Sequence, residues 1–183
     1  MAVDWADRLA IHRLRAGRII VHATEGVFGL ACDALNRDAC RQLSLLKSRT
    51  LGKQFIVVVA HFGQIAPFVA LSNAEHEKLT ERWSDPETWV MSASDRAPTW
   101  LAGRAGTLAV RVTRHRQFFE LCHRVGPIVS TSANLANQRP ALNLLRARQY
   151  FGSKVGLYLS GKLLVPGKVS VIRDIRSGEL IRT

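Results

Sequence analysis

Two short stretches hold the side chains best suited to chemistry. The first, Lys47-Ser48-Arg49-Thr50-Leu51-Gly52-Lys53, places three cations in one loop. A Lys point charge and an Arg fork two residues apart are what a polyphosphate asks for. The second is Gly126-Pro127-Ile128-Val129-Ser130-Thr131-Ser132-Ala133-Asn134. Its apolar half reads as a buried strand that stops in small hydrogen-bonding residues, where an open α/β sheet presents its ligand site. Extended backbone has a period of two, so Ser130, Ser132 and Asn134 are expected on one side and Thr131 on the other. That row suits phosphate oxygens or an amino acid. Each stretch also has a plain structural reading: a basic loop favoured by a helix dipole, and a strand followed by a Ser/Asn-capped turn.

Two further places bear on the same chemistry. The segment from Ala23 to Asp33 reads as a glycine-bearing loop at a strand end, in which Thr24 and Glu25 either cap a turn or line the cleft of the serines. In the strand Thr107 to Val112, Arg111 stands between Val110 and Val112. A charge in such a run must find an anionic partner or a wet cleft.

The elements that position these residues follow from periodicity and caps. From residue 3 to about 16 the pattern predicts a helix, with Asp4, Arg8, His12 and Arg15 on its polar face and Leu9, Ala10 and Leu14 opposite, stopped by Gly17. A short strand, 18–22, follows. Asn36 and Asp38 cap a helix whose Ala39, Leu43 and Leu46 recur at i, i+4 and i+7 and which delivers Lys47. A strand is predicted over 55–60, then a short irregular piece over 63–69. Ser72 and Glu75 form a capping box that opens a helix to about Trp83. A break at residues 83–88, a strand over 89–93, a loop over 94–106, the Arg111 strand and a helix over 115–124 lead to Gly126. Beyond Asn134, the pattern predicts a helix over 142–151 carrying Arg146 and Arg148, a strand over 154–159, and a hairpin over 170–182 turning at Ser177-Gly178. This alternation predicts a single α/β domain, residues 1–183, with a twisted open mixed sheet and flanking helices.

Composition bounds the partners. The 26 Lys and Arg residues outnumber the 14 Asp and Glu, a formal net charge of +12 that points to polyanions such as nucleotides or RNA. No apolar run is long enough to span a bilayer, and the start lacks a signal-peptide pattern, so a cytoplasmic protein is expected. Cys32, Cys40 and Cys122 show no C-x-x-C spacing and read as buried reduced thiols. No metal motif is read, and His22, His61 and His123 read as structural or surface histidines.

With these pieces placed, the chain resembles the YrdC-like family, and within it the short bacterial members. The resemblance rests on Thr24-Glu25-x-Val27-Phe28-Gly29-Leu30 and on Lys47-x-Arg49 together with Ser132-x-Asn134. Pro86-x-Thr88, Leu108-Ala109-Val110-Arg111-Val112 and Ile172-Arg173-Asp174 support it. It implies a twisted α/β sheet around a basic concave cleft. The implied reaction joins ATP, L-threonine and bicarbonate or carbon dioxide into threonylcarbamoyl-AMP and pyrophosphate. A separate complex then transfers the threonylcarbamoyl group to adenosine 37 of tRNA. The resemblance also implies that Lys47, Arg49 and Lys53 meet the ATP phosphates with Mg²⁺ sharing the charge. Ser132 and Asn134 bind the nucleotide, and Thr24, Arg111 and Thr131 fix the threonine or its carbamate. Ala23, Thr50, Gln54, Ser84-Asp85 and Thr113 stand where family prolines or a Pro-Gly are usual, and Val171 replaces a common threonine. Every signature residue remains, and Asp85 adds a negative charge near the anion site. Two other readings follow from the same features: a basic factor that grips double-stranded RNA or tRNA without adenylation, and a relative that uses another acceptor than threonine.

Overall fold

The computed structural model describes residues 4–48, 54–82, 87–103, 105–168 and 170–182. In chain order they form α1 (Trp5–Arg15), β1 (Ile20–Ala23), β2 (Phe28–Asp33), α2 (Arg37–Leu46), β3 (Ile56–Val59), α3 (Asn73–Arg82) and β4 (Glu87–Ser92). There follow β5 (Thr107–Val112), α4 (Arg116–Val125), β6 (Ile128–Ser132), α5 (Leu144–Phe151), β7 (Leu157–Tyr158), β8 (Val171–Asp174) and β9 (Leu180–Arg182).

The helices begin where the sequence offers caps. Asn36 Oδ1 accepts from Ala39 N at 2.9 Å and Asn143 Oδ1 from Arg146 N at 2.8 Å, each satisfying an orphan donor of the first turn. His115 does the same for α4 through Nδ1, which accepts from Phe118 N at 3.3 Å. The capping box of α3 is complete: Ser72 N donates to Glu75 Oε2 at 2.7 Å, and Glu75 N to Ser72 Oγ at 3.3 Å.

The strands pair in the order β7-β1-β2-β6-β3-β5-β4-β8-β9. The pairs β1/β7, β3/β5 and β4/β8 are parallel and the rest antiparallel, giving the mixed sheet expected from the alternation of elements. Both faces are covered. Val21, Leu30, Cys32, Val57, Val110 and Val129 face one core, with Leu43 of α2 and Ala147 and Phe151 of α5. Ile20, Ala31, Val58 and Ile128 face the other, against Ala10 and Leu14 of α1 and Phe118, Leu121 and Cys122 of α4.

Two expectations are corrected. Residues 28–33 are a strand and not a loop: Phe28, Leu30 and Cys32 fill one core while Gly29 and Ala31 let the other face close down, so glycine here marks close packing. The strand expected over 154–159 shrinks to Leu157–Tyr158, because Gly152 (φ 50°) ends α5 and Gly152–Lys154 makes a 3₁₀ turn. The hairpin at the chain end turns as predicted, with Gly178 at φ 75° donating to Asp174 O at 2.9 Å. All three cysteines are free and buried, and no described helix is long and apolar enough to cross a membrane.

Phe118 is fully buried and joins α4 to the sheet. Phe118→Ala should cost about 3–5 kcal/mol, read as a lower urea midpoint with an unchanged m-value.

Candidate functional site

Lys47 caps the end of α2, and Ser48 follows at φ 47°, turning the chain out of the helix. From there the Lys47 ammonium crosses to the end of β6: Nζ donates to Ser132 O at 2.6 Å and to Asn134 Oδ1 at 2.9 Å. Ser132 Oγ donates to the same Asn134 oxygen at 2.7 Å, and Asn134 Nδ2 donates to Leu135 O and Gln138 O. Residues 85 and 87 positions apart thus form one polar cluster. Charge-assisted bonds of this kind fix both the ammonium and the amide. Arg49, Lys53 and Asp85 lie outside the described residues.

Not all of the expected row meets there. Ser130 is buried deeper, its hydroxyl donating to His22 Nε2 at 3.4 Å. Strand alternation sets Thr131 on the opposite face from Ser130 and Ser132, half-buried. Gly29, opposite Ser132 in the register, sits between these groups: a methyl on it would lie 3.1 Å from His22 Nε2 and Ser130 Oγ and 3.3 Å from Thr24 Cγ2.

Thr24 opens a tight turn in which its hydroxyl donates to Val27 O at 2.7 Å. The next residue, Glu25, expected with Thr24 either to cap a turn or to line the cleft, makes a buried ion pair and two hydrogen bonds. Its Oε2 lies 3.2 Å from Arg111 Nη2, in a pair whose side chains are only 15% and 10% exposed. Oε1 accepts from Thr113 Oγ1 at 2.8 Å and from Arg114 N at 3.2 Å. Arg111 has therefore found the anionic partner that its apolar strand demanded. The backbone of the same turn holds a strap, residues 160–168: Val165 N donates to Glu25 O at 2.7 Å and Gly167 N to Gly26 O at 2.8 Å. A Cβ on Gly26 would lie 1.6 Å from Lys168 O, so only glycine permits this approach. The strap is also tied to α4, where His115 and Gln117 bond Lys162 O and Ser160 O.

The strap, Phe28 and the start of α5 border a shallow, open cleft of about 530 Å³, with Leu142, Leu163 and Pro166 as apolar walls and Lys162 as a cation. Lys47, Ser132 and Asn134 do not line it. They adjoin it through backbone bonds from Phe28 to Ala141, Ala133 to Phe28 and Ala141 to Ala133. The chemically richer polar cluster is the better marker of the site, because a cleft gains function from its convergent polar groups. Among the described residues, no group of three or more His, Cys, Asp or Glu could hold a metal.

Two titrating groups set the behaviour of this region in acid. Burial pushes the Glu25 carboxyl up, but the Arg111 guanidinium, backbone N–H groups and the Thr113 hydroxyl together outweigh it and hold it below its ordinary value of 4.5. His22 is driven by burial from 6.5 down to about 3, with His115 and Arg111 opposing its charge and the Ala23 carbonyl and Glu25 favouring it. Its Nδ1–H donates to Ala23 O at 2.9 Å, and its ring lies 4.0 Å from that of Phe118. A base whose folded pKa is depressed contributes stability above its unfolded pKa and loses it as pH falls. His22 should therefore remove about 1.4 kcal/mol per pH unit below 6.5, and Glu25 should add its loss below 4.5. A His22→Gln variant, though less stable at neutral pH, should show a flatter profile between pH 6.5 and 4, checked by denaturant titration across that range.

Comparison with known proteins gives the family of the chain. The Sua5_yciO_yrdC family model, described as "Telomere recombination", matches residues 12–183. The chain is 40% identical over 181 residues to the threonylcarbamoyl-AMP synthase of Nitrosococcus oceani, covering 98% of each chain. It is 41% identical over 183 residues to that of Pseudomonas paraeruginosa, covering 100% of this chain and 99% of the relative. Its structure is similar to P. abyssi Sua5 complexed with L-threonine, with a TM-score of 0.82 and 25% identity over 95% of this chain, which spans 52% of that longer one. A match along nearly the whole length, in sequence and in fold, shows that the chain belongs to the Sua5/YciO/YrdC family.

Proposed function

We propose that the protein is a nucleotidyltransferase that condenses ATP, L-threonine and bicarbonate or carbon dioxide into threonylcarbamoyl-AMP and pyrophosphate. The observation that carries this reading is the convergence of Lys47 with Ser132 and Asn134, a cation and neutral donors gathered at a strand end. The threonine amine adds to carbon dioxide, losing a proton to solvent, and gives a carbamate. A carbamate oxygen then forms the new bond to the α-phosphorus as the bond to pyrophosphate breaks.

Both partners are anions, so the work is screening charge and holding two repelling groups in line. Lys47 meets the phosphates at the site, and Arg49 and Lys53 are assigned to the same phosphates from their places in the sequence. Ser132 and Asn134 bind nucleotide oxygens. Thr24, Thr131 and Arg111 receive the threonine or its carbamate. Mg²⁺ binds readily through phosphates and water with few protein ligands, which fits a site that supplies cations and amides. When bound to ATP it would neutralise phosphate charge.

The product is a reactive mixed anhydride. A partner complex would consume it by transferring the threonylcarbamoyl group to adenosine 37 of tRNA, in the cytoplasm. The net charge of +12 favours a second reading, a basic concave cleft that grips tRNA or double-stranded RNA. Binding of that kind falls steeply with salt.

Pyrophosphate release from ATP with Mg²⁺ should require both L-threonine and bicarbonate, and L-serine should not replace threonine. Release independent of threonine would overturn the assignment. Lys47→Ala and Arg49→Ala should each lower kcat/KM by about 10²–10³, with unfolding midpoints close to that of the parent protein.

A further inference from the structure

We propose that Glu25 is a positioning residue for the amino-acid half of the site, holding Arg111 and the residue 113–114 corner in the geometry that receives L-threonine. This rests on the assignment of Arg111 to threonine or its carbamate made above.

Arg111 sits on β5, between the buried Val110 and Val112 of the next turn of the pleat, and has little freedom of backbone. Its long side chain has more. Glu25 limits that freedom through its pair with Arg111 at 3.2 Å, and is itself held by the Thr113 hydroxyl at 2.8 Å and the Arg114 N–H at 3.2 Å. One carboxylate therefore fixes a guanidinium and the backbone just after it. Arg111 Nε is buried with no hydrogen-bond partner, and among the described residues Glu25 supplies the charge that orients the group. Thr113 Oγ1 in turn accepts from His115 N at 3.2 Å, carrying the constraint into the cap of α4.

The same residue acts through its backbone. The carbonyls of Glu25 and Gly26 hold the strap at Val165 and Gly167, and the strap walls the cleft beside the polar cluster. Turn, corner and strap thus share one anchor. The anchor serves the threonine side, because its charged contact is with Arg111, while the nucleotide side is built from Lys47, Ser132 and Asn134 without Glu25. Loss of the Glu25 charge should loosen threonine selectively.

A double-mutant cycle on the full chain tests this. Glu25→Gln keeps an oxygen for Thr113 and Arg114 and removes the charge. It should raise the KM and the calorimetric Kd for L-threonine at least about tenfold and change the KM for ATP less than about twofold. Glu25→Asp should recover part of the loss. In an Arg111→Gln background, adding Glu25→Gln should alter threonine affinity less than about twofold, since the group it positions is gone. The double variant leaves no uncompensated charge, so if Glu25→Gln alone unfolds the double variant still tests the role: its loss against the parent should fall on L-threonine and not on ATP. Additive losses in the cycle, or equal losses for threonine and ATP, would overturn the proposal while leaving the reaction assigned. Folded parent protein that releases no pyrophosphate in response to threonine would overturn the reaction and this role together.

Discussion

The constraint on which the region depends is a buried carboxylate that has to be neutralised. Glu25 lies in the turn between β1 and β2, whereas its partners Arg111, Thr113 and Arg114 lie at and beyond the end of β5. In sheet order β6 and β3 intervene between that hairpin and β5. The contact spans both strands at the end of the sheet. Removing one member of such a pair is more damaging than replacing both, because it strands a charge out of water. The ion pair thus ties the β1–β2 turn to the corner after β5, and the turn that carries Thr24 is held with it.

The second polar cluster is organised differently. Lys47 is held by a backbone carbonyl and a side-chain amide. These bonds set its ammonium at the end of β6, where a phosphate site needs a cation. Glu25 and Arg111 instead cancel, giving shape more than field. One wall of the site therefore supplies electrostatic attraction and the other supplies position, a division that suits a reaction bringing two anions together.

Between them runs a core that admits little change. Gly29 has His22, Ser130 and Thr24 around it, and Gly26 has the carbonyl of Lys168 against it. His22 is buried as a neutral imidazole and meets its hydrogen-bonding needs locally, at Ala23 O and Ser130. These polar groups lie in the layer that also holds Phe118 and Cys122, so the same packing that stabilises α4 against the sheet sets the surroundings of the turn.

Much of this was written locally in the chain. The capping residues Asn36 and Ser72 with Glu75 name their own partners three residues on, whereas the row expected from the period of two breaks after Ser132, where Asn134 N turns back to Ser132 O at 3.0 Å. The need of Arg111 for an anion followed from its apolar neighbours alone. What the sequence by itself determined was therefore most element types, the cap-marked helix starts and the kinds of residue, Lys47, Ser132 and Asn134, that meet in the polar cluster. Gly29 misled the reading of β2, because a glycine that permits close packing and one that permits a turn look alike in sequence. Only the tertiary structure decided that the anion for Arg111 is Glu25 and that Lys47 lands on Ser132 and Asn134. Those partners stand 85 or more residues apart, and strand order, which no local pattern encodes, brings them within bonding distance.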